Sequence, residues 1–518
     1  MLSLEADRHL AEGRIEAAIG LYQDALALDA RDAAAVRGLA KCADLLGLHR
    51  EAELAWLQLH ALDPEDREGL MHAGLQYQRL ARYGEAIDCF SKVIEQTPED
   101  HAAQTARVQC HLYSDTASAE EREEAQSAWG GLSSGHGETA MAQVSSFEPE
   151  RRLRIGYLSS DFHAHPVGMA VLPVLHFHDR RAVEVYAYAD VERPDAATEQ
   201  LRARCDGWRD ISGLDDGAAA RLMAEDRIDI LVALSPHMDR NRPFIARARP
   251  APVQIVFHDL CSTGIAEFDY FIADFMIAPR GSAERFSERV LRLPCWTVQA
   301  FPAEAPDVAS PPFERNGVVT FGSFNNPRKL SETTIRLWSR ILQAVPDSRL
   351  SLKYFDFYSD PPVIERIQGS FAANGIAADR LFLLGEADGR SNHLAHYGEV
   401  DIALDPTPFN GATTTFEALL MGAPVVALLG DRLVARSAAS MLSAAGLSEL
   451  VAQDTDAYVE IAAKLAADGA RLAALRRSLR DRVKASSVFD ARRYTRNLER
   501  YYRMAWRRRC AQTAAEDV

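Results

Sequence analysis

The order of apolar and polar residues changes character along the chain. Up to about residue 115, apolar residues recur with the spacing of amphipathic helices, as in GRIEAAIGLYQDALALD and RYGEAIDCFSKVIEQTPED. Beyond Arg151, short runs rich in Val, Ile and Leu alternate with helical stretches, for example LRIGYLSS, IDILVALS, VVTFGSF and DIALD. Such runs are typical of parallel strands that helices cover on both faces. The pattern predicts a helical first part and an α/β second part.

The helical part repeats itself. Glu-Ala pairs begin at Glu16, Glu51 and Glu85, at spacings of 35 and 34 residues. This is the period of tetratricopeptide repeats, in which each helix pair covers its apolar face by stacking on its neighbour. We therefore expect an all-α domain of about three tetratricopeptide repeats at residues 1–115. A generic helical bundle is the alternative, but a bundle has no reason to keep this register.

The rest of the chain divides at two places where the strand pattern stops. Residues 116–150 are rich in Ser, Gly, Ala and Glu and predict a linker with some helix at AEEREEAQSAW. The proline-rich segment 301–317 separates two sets of strands. We expect two Rossmann-like doubly wound domains, at 151–310 and 311–490, with a cleft between them. A basic amphipathic helix at 491–518 closes the chain.

Charge and composition narrow the function. The 518 residues carry a net charge of -16, which argues against nucleic acid as the main partner, because phosphate binding requires a basic face. The seven cysteines are scattered and form no C-x-x-C pair, so neither a disulfide framework nor a zinc site is indicated. No run approaches 18 uninterrupted apolar residues, and the first ten residues contain no apolar leader. We expect a cytoplasmic protein without a membrane span.

The segment DIALDPTPFNGATTTFEALLMG has the features of a phosphate site. It reads as a buried strand, a turn and the start of a helix, and helix starts bind anions through free backbone N–H groups. Gly411 lets a ligand approach the backbone, and Thr413, Thr414 and Thr415 add hydroxyl groups. Glu417, expected in the first helical turn, is suited to ribose hydroxyls. The alternative is that a threonine only caps the helix and Glu417 completes a capping box.

Two further loops follow strands of the same predicted sheet. VVTFGSFNNPRKLSETT places Asn326 and Lys329 between a strand and a helix, where an ammonium group can neutralise a diphosphate. GEADGRSNHLAHYGEV places Arg390 and His393 ahead of DIALD. Each residue alone reads as a solvated loop side chain. The three loops, one of which contains the turn at Asn410, are expected on one side of the same sheet. In combination they favour a nucleotide site.

At this point the sequence resembles a known family, the protein O-GlcNAc transferases and their SPINDLY relatives. These proteins join tetratricopeptide repeats to a two-domain glycosyltransferase of the GT-B fold. The resemblance covers nearly the whole chain, and the order and spacing of its motifs are specific. It rests on LRIGYLSSDFHAHP (153–166), RPAPVQIVFH (249–258), SFNNPRK (323–329), HLAHYGEVDIALDPTPFNGATTTFEALLMGAPVVAL (393–428) and LVARSAAS (433–440).

The resemblance implies a nucleotide-sugar in the C-terminal half. Position by position, Lys329 and Asn326 would contact the diphosphate, and Thr413 and Thr414 would bind it through the helix start. Glu417 would take the ribose-binding place and His393 would lie near the nucleoside. His165 matches the family's histidine beside the transferred sugar, which makes His165 and Lys329 the catalytic candidates.

The implied reaction is an inverting transfer from UDP-GlcNAc to a Ser or Thr hydroxyl, with the departing diphosphate stabilised by Lys329 and the helix dipole. No metal or other cofactor is expected. The D-x-D sequence that begins at Asp454 reads as a helix cap.

Two loops depart from the family pattern on the acceptor and sugar side. The usual glycine-rich G-[YF]-P-G-T-S-G loop appears as FHDLCSTG, which introduces His258 and Asp259, and ALSPHMDRNRP retains His237 but loses a glycine. Ala412 replaces a histidine of animal members. His258 and Asp259 form either an acid/base pair or an ordinary loop hydrogen bond. These changes leave GDP-fucose or a nonulosonic acid, used in flagellin glycosylation, as alternative donors.

The functional hypothesis is a protein O-glycosyltransferase whose repeats recruit the protein acceptor. A tetratricopeptide scaffold with a degenerate, non-catalytic nucleotide-sugar domain is the alternative. The intact Lys329 and NGATTT motifs speak against degeneration, while the altered FHDLCSTG loop speaks for it. The sequence names neither the acceptor nor the oligomeric state.

Overall fold

The computed structural model describes residues 1–133, 142–238, 240–302, 304–385 and 389–516. The chain forms two compact units, Met1–Ser114 and Asp115–Val518. In the described part, no helix is both long and apolar enough to cross a membrane.

The first unit consists of helices that start at regular intervals. Its elements are α1 (Leu2–Ala11), α2 (Ile15–Leu28), α3 (Ala33–Leu45), α4 (His49–Leu62), α5 (Arg67–Arg79), α6 (Tyr83–Gln96) and α7 (His101–Tyr113). The N-caps of α3, α5 and α7 are Asp32, Asp66 and Asp100, and each carboxylate accepts the backbone N–H three residues later. Such a cap satisfies an N–H that the helix leaves unpaired. The 34-residue period therefore marks where each helix pair begins.

The same period sets the core of this unit. Tyr22, Trp56 and Phe90 recur every 34 residues and are buried. Glycines face two of these rings, since a Cβ on Gly38 would lie 2.0 Å from the Tyr22 ring and one on Gly74 would lie 2.7 Å from Phe90. The large ring and the glycine opposite it let neighbouring helices approach closely. This interlocking explains why the helices keep a fixed repeat length.

The second unit begins with α8 (Ala119–Gly131), which opens with a capping box formed by Ser118 and Glu121. This helix lies in the stretch where the sequence predicts a linker. A seven-stranded sheet follows, in the order β3-β2-β1-β4-β5-β6-β7, with every pair of neighbouring strands parallel. Its strands are β1 (Leu153–Ser159), β2 (Val183–Ala189), β3 (Gly207–Asp210), β4 (Ile230–Leu234), β5 (Val253–Phe257), β6 (Tyr270–Asp274) and β7 (Arg289–Leu293), and its helices are α9 (Pro166–Phe177), α10 (Ala196–Arg202) and α11 (Asp216–Glu225).

A second parallel sheet has six strands in the order β10-β9-β8-β11-β12-β13. Its strands are β8 (Thr320–Ser323), β9 (Arg349–Lys353), β10 (Leu381–Leu384), β11 (Ile402–Leu404), β12 (Val425–Leu428) and β13 (Val451–Ala452). The accompanying helices are α12 (Pro312–Asn316), α13 (Glu332–Ala344), α14 (Pro361–Ala373), α15 (Gly389–Ala395), α16 (Thr413–Leu420), α17 (Ser437–Ala444), α18 (Thr455–Ala467), α19 (Gly469–Lys484) and α20 (Ala491–Glu516). The predicted fold class, helical repeats followed by two doubly wound α/β halves, is confirmed.

The last helix, α20, belongs to the core of the first sheet although it follows the second in sequence. Tyr494, Leu498, Tyr502 and Trp506 of this helix are buried in one cluster with strands β1 to β7 and with α9. The opposite face of the sheet is covered by α11. The first sheet is thus covered on both faces, as its continuous apolar strands require.

Both sheets reverse their winding direction at a defined pair of strands. In the first sheet the reversal lies between β1 and β4, and in the second between β8 and β11. In open parallel sheets, ligands bind at the carboxyl ends of the strands that flank such a reversal. The loops that follow β1, β4, β8 and β11 are therefore the positions at which to look for a site.

Candidate active site

The loops after β8 and β11 bring Lys329 to the start of α16. Lys329 lies in a short 3-10 turn, Pro327–Lys329, just beyond β8. Its Nζ donates to the backbone oxygen of Asn410 at 2.8 Å and lies 3.4 Å from Oδ1 of Asn325. The same nitrogen stands 4.6 Å from the centre of the Phe409 ring. An ammonium carries three donors, and these contacts use two of them.

The helix start beside Lys329 has no side-chain cap. The N-cap of α16 is Ala412, whose methyl group cannot accept a hydrogen bond, and Thr413 is the first helical residue. The capping alternative is therefore wrong, since no threonine occupies the N-cap. Backbone N–H groups in the first turn of a helix without a cap are suited to bind an anion. Thr414 contributes to the same surface, because its hydroxyl donates to Oδ1 of Asn325 at 2.9 Å.

Gly411 is the position at which the loop packs most closely on its neighbours. A Cβ there would lie 2.6 Å from the hydroxyl oxygens of both Thr414 and Thr415 and 2.8 Å from Oδ1 of Asp405. The Gly411 N–H donates to this carboxylate oxygen at 2.8 Å, and Thr415 donates to it at 3.3 Å. Asn410, just before the glycine, is buried, and its side-chain Nδ2 donates to the backbone oxygen of Pro406 at 2.9 Å. The loop is fixed by contacts with itself and with Asp405.

Glu417 lies one turn deeper in α16 than the sequence predicts. Because α16 begins at Thr413, Glu417 is its fifth residue, and the expected place in the first turn is wrong. Its carboxylate is buried and pairs with Nη2 of Arg390 at 3.1 Å and with Nε2 of His393 at 3.2 Å. The structure thus brings together Arg390, His393 and Glu417, three of the residues that were predicted to bind the nucleotide-sugar.

Lys353, at the end of β9, extends this cluster. Its Nζ lies 3.3 Å from Nδ1 of His393, and its side chain is buried. Lys353 is not among the residues predicted from the sequence, although a lysine at the carboxyl end of the strand next to β8 is a usable signal. The His393 ring also meets Tyr397 edge-on, with ring centres 6.0 Å apart.

Asn326 takes a different role from its neighbour. Its Oδ1 accepts the backbone N–H of Arg328 and caps the 3-10 turn, whereas Asn325 contacts Lys329 and Thr414. Asn326 was predicted as a site residue, whereas Asn325 was not. The contact of Asn326 with the diphosphate stays a prediction.

His165 stands at the corresponding place of the first sheet. It is the N-cap of α9, in the loop after β1, and its Nδ1 accepts the N–H of Val167 at 3.4 Å. The same nitrogen lies 3.7 Å from Oδ1 of Asp161, which is buried. About a fifth of the His165 side chain, 19%, is exposed.

His237 and Asp259 form a buried pair in the loops after β4 and β5. Nδ1 of His237 lies 2.7 Å from Oδ2 of Asp259, and both side chains are fully buried. The Trp129 ring of α8 stacks on the imidazole with ring centres 4.0 Å apart. Sγ of Cys261 lies 3.7 Å from both ring nitrogens of His237.

The predicted pairing of His258 with Asp259 is therefore wrong. His258 has a backbone φ of 60°, and its ring turns away to lie 4.2 Å from the Phe257 ring and 5.4 Å from the Trp296 ring. Among the described residues, Nε2 of His258 has no hydrogen-bond partner. Burial lowers the pKa of His258 to about 3, so the ring is neutral near pH 7.

In the part of the chain that the structure describes, no group of three or more His, Cys, Asp or Glu side chains is placed to hold a metal ion. Asp454, the first residue of the D-x-D sequence, accepts the N–H of Ala457 and is the N-cap of α18, as the sequence predicts.

Known proteins resemble this chain over the whole α/β unit. Residues 136–297 and 314–498 match glycosyl transferase family 41. A probable UDP-N-acetylglucosamine-peptide N-acetylglucosaminyltransferase SPINDLY of Petunia hybrida is 37% identical over 374 residues, which cover 70% of this chain and 40% of that protein. The corresponding probable enzyme SEC of Arabidopsis thaliana is 30% identical over 373 residues, covering 70% and 38%.

A solved structure of a mutant of Thermobaculum terrenum O-GlcNAc transferase has a TM-score of 0.85 and 33% identity, and it covers 99% of this chain and 98% of that one. This likeness confirms the expected GT-B arrangement. The chain spans about 40% of the length of the plant SPINDLY relative. With the family matched over both α/β halves, the chain belongs to glycosyl transferase family 41 and to its O-GlcNAc transferase and SPINDLY group.

Proposed function

We propose that this chain transfers N-acetylglucosamine from UDP-N-acetylglucosamine to Ser or Thr hydroxyl groups of a protein acceptor, with inversion and without a metal ion. The observation that carries the proposal is the convergence of Lys329 and the uncapped start of α16. The 2.8 Å contact joins Nζ of Lys329 to the backbone oxygen of Asn410, two residues before the N-cap. The names of the Petunia and Thermobaculum relatives support this donor and this type of acceptor.

The proposed reaction is a single displacement at the anomeric carbon. The acceptor oxygen forms a bond to C1 while the bond from C1 to the β-phosphate oxygen breaks, and UDP leaves with the bonding electrons. Lys329 and the N–H groups at the start of α16 stabilise the charge that grows on this diphosphate. The ammonium of Lys329 is held before the reaction by its contacts with Asn325 and Asn410, so it needs little reorganisation.

The other predicted residues take roles that follow from their places. We assign the ribose and base to the cluster of Arg390, His393 and Glu417, where the buried carboxylate can accept from ribose hydroxyls. We assign the acceptor hydroxyl to His165, in the loop after β1, which can position the hydroxyl or accept its proton. The pair of His237 and Asp259 stabilises the loop on the acceptor side, because both side chains are buried.

The helical repeats of Met1–Ser114 supply the recruiting surface for the protein acceptor in this proposal. About three repeats form a short array, which suits one acceptor bound in a defined pose. We place the reaction in the cytoplasm, because all seven cysteines are free thiols.

The test combines nucleotide binding with transfer. Calorimetry with UDP, GDP and CMP identifies the nucleotide, and intact-mass analysis of candidate acceptors, incubated with the matching nucleotide-sugar, detects the transferred sugar. We expect binding of UDP and a mass increase of one N-acetylhexosamine. Binding of GDP or CMP in place of UDP would redirect the donor to a fucose or a nonulosonic acid.

The variant Lys329→Gln tests the proposed charge on the leaving group. It should reduce kcat about 100- to 1,000-fold, as loss of one fixed donor to a developing anion does in other enzymes. The matched control is Lys464→Gln, on the surface of α18, where the lysine is 74% exposed. If neither UDP, GDP nor CMP binds, or if Lys329→Gln turns over like Lys464→Gln, the proposed function is wrong.

A further inference from the structure

Asp405 is a buried carboxylate directly beneath the loop that starts α16. It follows β11 and is 2% exposed. Its Oδ1 accepts the N–H of Gly411 at 2.8 Å and the hydroxyl of Thr415 at 3.3 Å. Among the described residues, its Oδ2 has no hydrogen-bond partner and almost no exposed surface. One oxygen thus shapes the loop, while the other is buried without a hydrogen-bond partner among the described residues, which is unfavourable for an ionised carboxylate.

The charged and titratable groups around Asp405 are few. Lys329, from the turn after β8, is the cation whose charge acts on it. Tyr458, from α18, donates its hydroxyl to the backbone oxygen of Asp405 at 2.8 Å. Burial raises the pKa of Asp405, and the opposing effects of Lys329 and the loop N–H groups are smaller. Burial also lowers the pKa of Lys329, and the Asp405 charge counteracts part of that shift.

These neighbours balance one negative charge against one positive charge when the site holds no ligand. A diphosphate bound at Lys329 would bring at least two further negative charges to the same region. At short range and in a medium of low dielectric constant, like charges repel strongly, so the buried carboxylate is then better neutral than ionised.

We propose that Asp405 is a positioning residue that holds the Gly411 loop through Oδ1 and takes up a proton on Oδ2 when a nucleoside diphosphate binds. The proton comes from the solvent and no covalent bond of the donor changes in this step. Lys329 keeps its charge and is left with the diphosphate as its counterion. When UDP leaves, Asp405 ionises again and becomes the counterion of Lys329.

This inference rests on the proposed function, because it requires a diphosphate at Lys329. Infrared difference spectroscopy provides the test. UDP is added to the full chain at about pH 8, where an ordinary aspartate is fully ionised. We expect a new band in the carbonyl stretching region of protonated carboxyl groups. The band should shift when the protein carries ¹³C-labelled aspartate carboxyls, which separates it from the carbonyl groups of uracil.

The variant Asp405→Asn assigns the band. Its side-chain oxygen can still accept from Gly411 and Thr415, so the loop contacts are kept while the titrating group is removed. Asp401→Asn is the matched control. Asp401 precedes β11 and is also buried with a raised pKa, but both of its oxygens accept hydrogen bonds, from the backbone N–H groups of Phe313 and Thr320.

The outcomes separate the two proposals. A label-sensitive band in the wild type and in Asp401→Asn, absent from Asp405→Asn, supports the inference. If calorimetry shows that UDP binds but the wild type gives no such band, or Asp405→Asn keeps it, the inference is wrong and the proposed function stands. If the wild type binds none of the tested nucleotides, both fail. Should Asp405→Asn not fold, the labelled wild-type spectrum still decides, since a missing band overturns the proposal.

Discussion

The buried imidazole of His258 should make the second unit sensitive to mild acid. Burial lowers the pKa of His258 to about 3 in the folded chain, whereas an ordinary histidine has a pKa of 6.5. The unfolded chain therefore binds a proton that the folded chain refuses. The contribution of the neutral His258 ring to the free energy of unfolding is complete above pH 6.5. It falls as the pH drops below this value and stops falling only near pH 3.

The size of the effect follows from this difference. Each pKa unit corresponds to about 1.4 kcal/mol, so one group that is protonated only in the unfolded state should lower the free energy of unfolding by about 2 kcal/mol between pH 8 and pH 5. The ring has no way to compensate, because its neighbours are Phe257 and Trp296 and its Nε2 finds no partner in the described part of the structure.

The assay compares the wild type with His258→Asn in urea at both pH values. Asparagine tolerates the backbone φ of 60° at this position and carries no titrating group. Tryptophan fluorescence reports mainly on the relevant unit, because five of the six tryptophans lie beyond Ser114. We expect the variant to lose about 2 kcal/mol less than the wild type between pH 8 and pH 5. Equal losses in the two proteins would show that His258 is not held neutral by burial.

Three further substitutions test the site and its support. Gly411→Ala places a methyl group within 2.8 Å of three oxygens. We therefore expect urea unfolding to show a loss of about 1–3 kcal/mol of stability and calorimetry to show weaker UDP binding. An unchanged UDP affinity would contradict the expected clash. Glu417→Gln removes the charge that pairs with Arg390 and His393, so the UDP dissociation constant should rise about tenfold. Calorimetric titration with UDP measures this constant, and an unchanged value would contradict the prediction. Trp129→Ala should destabilise the second unit by about 3–5 kcal/mol, and a wild-type unfolding midpoint would exclude this packing role.

The parts of the fold and site that the sequence predicts are those governed by local pattern. The 34-residue period predicts the helix pairs, because caps and buried rings recur with it. Continuous apolar runs predict the parallel strands, and parallel strands place the loops after β8 and β11 at one edge of the sheet. The approach of Lys329 to the start of α16 follows from this topology and needs no knowledge of side-chain packing.

The wrong predictions concern which loop side chains face each other, because local backbone angles decide this. The sequence offers two adjacent asparagines, and the turn that begins at Asn326 uses that side chain as its cap, which leaves Asn325 to face Lys329. His258 has a backbone φ of 60°, which the sequence does not show, and its ring lies against Phe257 and Trp296 while Asp259 pairs elsewhere. The correct partner, His237, follows β4, and β4 pairs with β5, so the sheet order would have predicted its contact with Asp259.

A net charge of -16 is compatible with the proposed diphosphate site. Distant surface carboxylates are screened by salt over about 10 Å, so the ligand responds chiefly to the groups that touch it. At the proposed diphosphate position those groups are Lys329 and the positive end of α16, which both attract an anion. Asp405, the carboxylate beneath the loop that starts α16, is buried, and burial raises its pKa, so it can become neutral at little cost. A site of this kind gains selectivity for diphosphates from the number of its charges, because a ligand with too few negative charges would leave Asp405 ionised and Lys329 already paired.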